Sequence, residues 1–193
     1  VILGIIAAVR RGKIADNAIS VLTLVFISLP SFFLGLMLLL LFALKLRWLP
    51  VYGTGSWEQM VLPVLSLGLV ELGYIARTTR SSLLEVIGQD YIRTARAKGM
   101  RERVVIYRDA LKNALIPIVT SVGLRFGSLL AGATITESVF SIRGIGTIML
   151  QAINDRDYTL LQGCILIVSL CFIVVNTLTD ILYTLVDPRI KLK

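Results

Sequence analysis

Residues 83–117 read LLEVIGQDYIRTARAKGMRERVVIYRDALKNALIP, the longest water-loving segment in a chain that is otherwise mostly apolar. From Arg77 to Lys112 there are nine Lys and Arg against four acids, Glu85, Asp90, Glu102 and Asp109. Apolar residues recur within it at helical spacing, at Met100, Val104, Tyr107, Leu111 and then Ala114 or Leu115, the stripe of a short amphipathic helix. Ahead of that stripe, residues 90–98 also read as helix. Their cations crowd the last turn, where the negative end of a helix favours them, and Gly99 stands just beyond, where a left-handed residue ends a helix. The predicted order is helix, Gly99 turn, second short helix, then re-entry into a membrane at Ile116–Pro117. Such an elbow, held between two spans, suits gripping another protein. The same charges also suit a solvated basic loop that only fixes topology.

Composition sets the surroundings of this elbow. Hydrophobic residues make up 56% of the chain, charged residues 17%, and the mean hydropathy is +0.83. A soluble domain carries about 25% charge, and here the apolar residues gather into runs long enough to cross a bilayer. The net charge of +8 therefore points to loops on the cytoplasmic side of a membrane rather than to nucleic acid. Cys164 and Cys171 lie seven apart in one apolar run, a rise of about 10 Å on a helix and too far for a bridge. They read as small hydrophobes. The absence of His removes His-based catalysis and His metal sites.

The predicted fold class is all-α, a polytopic transmembrane helix bundle with about four complete spans plus a remnant. Val1–Val9 is too short for a span and has no signal-peptide pattern. It reads as the end of a span begun before Val1, in a chain truncated at its amino terminus. Arg10, Arg11 and Lys13 form a cytoplasmic turn. Ile19–Leu44 is the first complete span, with Pro30 at its middle as a kink that serves packing geometry or a gating hinge. Lys45–Gln59 is an outer loop whose Trp48, Tyr52 and Trp57 suit the interface. Met60–Thr79 is the second span, followed by the elbow at about 83–117. Ile116–Thr134 is the third, with Gly123, Gly127 and Gly132 giving small faces. Ile135–Thr159 is a second outer loop, and Leu160–Val186 is the last span, ahead of a basic tail at Arg189, Lys191 and Lys193. Each crossing flips the side, so the basic turn, elbow and tail share one side and the near-balanced loops share the other.

RTARAKG at Arg93–Gly99, followed by ALKNALIP at Ala110–Pro117, resembles the cytoplasmic coupling loop of ABC-importer permeases. The form is similar to that of the peptide/nickel branch, in the place of the B-type subunit. Of the general Glu-Ala-Ala…Gly pattern, Ala95 and Gly99 match, while Arg93 and Thr94 depart. RDY at Arg156–Tyr158 and VDPRIKLK at Val186–Lys193 resemble the same branch, so the likeness extends over nearly the whole chain. The resemblance implies a single type I permease domain over residues 1–193, in a subunit with more spans than are present here. It also implies a bacterial or archaeal cytoplasmic (inner) membrane. The implied partners are a C-type second permease subunit, ATP-binding subunits, an extracytoplasmic substrate-binding protein and the lipid bilayer. The implied ATPase-coupling residues are Ala95, Gly99, Met100, Val104, Tyr107 and Leu111. The implied cargo is di- or oligopeptides, with nickel chelates or glutathione as the alternative within the branch.

The chain carries no Gly-x-x-x-x-Gly-Lys-Ser/Thr loop and no HExxH. Gly144-Ile-Gly146 is too short for a dinucleotide fingerprint and reads as a turn. No catalytic, cofactor-binding or metal residues are assigned and no cofactor is expected, so the chain reads as a transport permease without its own ATPase site. An intramembrane enzyme would need catalytic sets that this sequence lacks. A gradient-driven secondary transporter would show an inverted repeat, which is not visible. Glu71 and Arg125 fall at similar depth inside spans, and Asn176 lies in the last one. Charges there face inward and usually pair. They form a packing pair, or they line the path and meet the charged ends of a substrate.

Overall fold

The computed structural model describes residues 1–51, 53 and 55–186. Every regular element among them is helical. A helix satisfies its own backbone, which hydrocarbon demands of any spanning segment. The chain divides into two compact units, one of Val1–Val25, Leu72–Leu124 and the segment from Asn176, the other of Phe26–Glu71 and Arg125–Val175.

The apolar amino-terminal segment forms α1 (Ile2–Val9). A turn at residues 10–13, with Gly12 at φ +75°, leads into α2 (Ile14–Ser28). The predicted span over 19–44 is not a single rod. The helix stops at Ser28, Pro30 adopts φ −59° and ψ 140°, and α3 (Ser31–Leu38) restarts before widening into a π turn over Leu39–Lys45. The two helices are bent by 103°, far more than a kink. Proline has no N–H to donate and drives the residue before it out of helical geometry. That residue is Leu29, which lies outside both helices, so the break is complete.

α4 (Trp57–Ile87) is longer than the predicted second span at both ends. Its 31 residues extend about 46 Å at 1.5 Å each. Trp57 thus opens a helix rather than closing a loop, and Leu83–Ile87 belong to α4 rather than to the elbow. α5 (Asp90–Ala97) and α6 (Glu102–Val104) follow. The chain then widens into a π turn over Val105–Ala110 and continues without interruption as α7 (Leu111–Val139). The separate second helix is therefore corrected. Pro117 sits inside α7.

The predicted outer loop over 135–159 also contains more structure than expected. α7 holds to Val139, and α8 (Ile145–Asn154) fills most of the remainder. Glu137 of α7 caps α8: the Thr147 N–H donates to its Oε2 at 2.8 Å, and the Gly144 N–H donates to Thr147 Oγ1 at 3.0 Å. A Cβ at Gly144 would collide with the Glu137 carboxylate, so the glycine that read as a turn is the space this cap needs. α9 (Tyr158–Val186) matches the last predicted span. Tyr52 and the tail with Asp187, Arg189, Lys191 and Lys193 lie outside the described residues.

Among the described residues, α4 and α9 are long and apolar enough to span a membrane, and the bent pair α2–α3 is a third if taken as one span. α7, with 29 residues, contains the predicted third span. α9 is close to α7 at two small residues. A Cβ at Gly123 would fall on Thr179, and one at Gly127 on Phe172, as expected of small faces between membrane helices. Leu166, Leu170 and Ile173 of α9 are exposed, a surface suited to lipid rather than water.

Candidate functional site

The elbow rests on a core built from four helices and the π turn. Ile5 and Ala8 of α1, Leu83 of α4, Ile92 of α5, Val105 and Ala110 of the π turn, and Ala114 and Ile118 of α7 bury one another, with Ala95 and Leu111 packed at the rim. Val105, Ile92, Ala110 and Leu83 are fully buried. The predicted stripe of Met100, Val104, Tyr107, Leu111 and Ala114 therefore divides, with Ala114 buried and Leu111 packed on the core while its first half faces outward. The inner face carries Val105, Ile106, Ala110, Ala114 and Ile118, whereas Met100 and Tyr107 are 36% and 58% exposed. Val104 and Leu111 are half-buried. At the π turn two successive residues, Val105 and Ile106, face inward before the four-residue steps Ile106, Ala110, Ala114 and Ile118.

The tip is held by polar contacts. Gly99 has φ +76°, the left-handed conformation that its place after α5 predicted. Across that turn Arg96 forks onto Glu102, with Nη2 donating to Oε1 at 2.7 Å and Nε to Oε2 at 3.1 Å. The guanidinium holds the Glu102 carboxyl below its ordinary value, and the carboxylate raises Arg96. Asn113 Nδ2 donates to the Tyr91 hydroxyl at 2.7 Å, joining α7 to α5. The result is a braced projection that presents Met100, Tyr107 and the exposed cations Lys98, Arg101, Arg103 and Arg108.

Glu71 closes one segment of the second unit and Arg125 opens the other. Arg125 is near enough for its charge to act on Glu71, one of whose carboxylate oxygens, Oε2, is buried without a hydrogen-bond partner. Asn176 is half-buried and belongs to the first unit. Cys164 is buried, Cys171 is exposed, and both are free.

Sequence reasoning missed Asp16. It is 2% exposed and accepts from Arg80 Nε at 2.6 Å and Nη2 at 2.9 Å, from the Gly12 N–H at 2.9 Å and from Ser20 Oγ at 3.4 Å. The available signal was an acid in the first turn of an apolar helix, directly after a basic turn. Beside the pair, Ala7, Ile19, Ser20, Thr23, Leu24, Ala76 and Arg77 line a cavity of about 270 Å³.

Helices long and apolar enough to span a membrane, together with a braced basic elbow, define a class, the polytopic membrane protein with a polar helical projection. The family described as "Binding-protein-dependent transport system inner membrane component" matches residues 1–192, and the chain belongs to it. The Glutathione transport system permease protein GsiC of Escherichia coli is 43% identical over 190 residues, 98% of this chain and 62% of that protein. GsiC of Salmonella typhimurium is 42% identical over 191 residues, 99% of this chain and again 62% of the relative. The chain thus spans less than two thirds of the length of these relatives. A chain of the MetNI methionine ABC transporter, solved in an inward-facing conformation, aligns with a TM-score of 0.73 at 20% identity, over 95% of this chain and 84% of that one. The two share a fold.

Proposed function

We propose that this chain is the greater part of a permease subunit in an ATP-driven importer of small peptide-like solutes. It forms half of the translocation channel with a C-type permease subunit. An extracytoplasmic binding protein delivers the solute, and ATP-binding subunits supply the energy, since the permease has no ATPase site of its own. The reading is carried by one observation, an elbow braced from within that leaves Met100 and Tyr107 exposed at its tip. Exposed apolar anchors on a projecting helical element suit a groove in a partner. Ala95 and Leu111 seat the elbow, Gly99 aims it, and Met100, Val104 and Tyr107 meet the ATPase.

The likeness to GsiC favours glutathione, a tripeptide-like solute, with di- and oligopeptides next and nickel chelates after them. Glu71 and Arg125 either hold each other or meet the charged ends of such a solute. Co-purification of the full-length subunit through mild detergent tests the reading. An ATP-binding partner and ATP-dependent uptake of glutathione or dipeptides in proteoliposomes are expected. Uptake driven by an ion gradient without ATP would replace it with a secondary transporter.

A further inference from the structure

We infer that Asp16 is a positioning residue of the coupling apparatus, whose forked pair with Arg80 ties α2 to α4 so that a displacement of the elbow is carried into α2. The inference rests on the transport reading above. Asp16 is nearly sealed from solvent, and both of its oxygens are taken by donors from two directions, Arg80 of α4 and the Gly12 N–H of the α1–α2 turn. A bidentate guanidinium–carboxylate pair fixes angle as well as distance. Close packing does not replace it here, because the cavity next to it is lined by Ile19, Ser20, Thr23 and Leu24 of α2 and by Ala76 and Arg77 of α4.

Arg80 stands one helical turn before Leu83, which is fully buried in the core that seats the elbow. On the same stretch of α4, Ala76 and Thr79 approach α1 so closely that a Cβ at Gly4 would collide with them. α1, α4 and the elbow are therefore joined by direct packing, while α2 is joined to them at this level through charge. A buried ion pair adds little to stability, yet it fixes geometry and cannot slide as an apolar contact can.

The test uses the full-length subunit with its partners in proteoliposomes and compares Asp16→Asn, Arg80→Gln and the double variant. Arg80→Gln leaves the buried Asp16 carboxylate unmatched and lowers the yield of assembled complex, whereas Asp16→Asn leaves only the half-buried Arg80 and lowers it less. The double variant has no such charge and regains assembly, but its solute uptake per ATP hydrolysed stays about fivefold or more below the parent. A double variant that regains assembly and the uptake-to-ATP ratio together would overturn the inference and leave the pair a packing feature. One that regains neither would also overturn it.

A second arm needs no transport. Spin labels at Asn17→Cys and Arg93→Cys, with Cys164 and Cys171 replaced, should report one narrow α2–elbow distance in the parent and a broad one in the double variant. Equal widths would overturn the inference. If the parent shows no ATP-driven uptake at all, the proposed function fails while this arm still decides the link.

Discussion

Arg96 and Glu102 meet as a forked ion pair across the Gly99 turn, with donor–acceptor distances of 2.7 and 3.1 Å. Glu102 has a depressed pKa in the folded elbow because Arg96 donates to its carboxylate. The pair's contribution is therefore complete above the ordinary value of 4.5 and disappears as the pH falls through the lowered folded value. Both side chains are well exposed, at 38% and 55%, so screening limits the contribution to about 1 kcal/mol at most. Amide exchange near Val104–Ile106 should quicken by up to about fivefold in Glu102→Gln at neutral pH. The parent and variant should converge in acid. A difference that grew as the pH fell would exclude the pair as the cause.

Gly99 is a matter of conformation and not of room, since a Cβ there would meet nothing within 4 Å while φ is +76°. Gly99→Val should cost about 1 kcal/mol or more at the turn, and Gly99→Asn should be tolerated better, because Asn enters the left-handed region more readily. In the assembled complex the Val variant should insert normally yet show weakened solute-stimulated ATP hydrolysis. Full stimulation in Gly99→Val would count against the turn's role in coupling.

Single cysteines over residues 100–112 should divide into three groups. At Val105, Ile106 and Ala110, buried in the elbow core, water-soluble maleimides should not react in any state. At Met100 and Tyr107 reaction should be fast in the isolated subunit and at least about tenfold slower with the ATPase bound, as expected of residues at the centre of an interface. At Lys112, exposed and at the far end of the segment, the ATPase should make little difference. Uniform labelling along the segment would remove the docking assignment.

Glu71 and Arg125 call for a double-mutant comparison. If they hold each other, Glu71→Gln or Arg125→Gln alone leaves a poorly solvated charge and lowers the melting temperature of the complex, with a loss of as much as about 3 kcal/mol. The double variant then recovers most of that loss and transports. Recovery of assembly without recovery of uptake would instead assign the two charges to the solute, and strictly additive damage would make them independent sites.

Much of this architecture was legible because membranes enforce simple rules. Apolar runs long enough to cross had to be helices, and the cations of 77–112 had to sit outside the hydrocarbon. Gly99 was readable because one residue type alone enters left-handed geometry without strain. What escaped was set by tertiary context. The π turn over Val105–Ala110 has no composition of its own, so the inward placing of both Val105 and Ile106 was not visible in a stripe counted at ideal helical spacing. α8 was hidden among the charges that flank it, and its cap comes from Glu137 on another helix. Asp16 was passed over because its partner lies 64 positions further along the chain. Pro30 announced a bend, but its size depended on the helix beyond it finding separate packing around Ala43, Leu62 and Phe140.

The wide turn at 105–110 can be viewed as a one-residue insertion frozen into a helix that otherwise keeps regular time. Residues on its far side are set around the axis by that extra step, since each residue of an α-helix advances the azimuth by about 100°. Met100 and the Gly99 bend owe their compass bearing to it. A lineage that dropped one residue between Val105 and Ala110 would keep composition, charge and hydropathy almost intact, yet its elbow would point elsewhere. Length within this hexapeptide, more than the identity of any side chain, is therefore the quantity that an evolving partner would have to track.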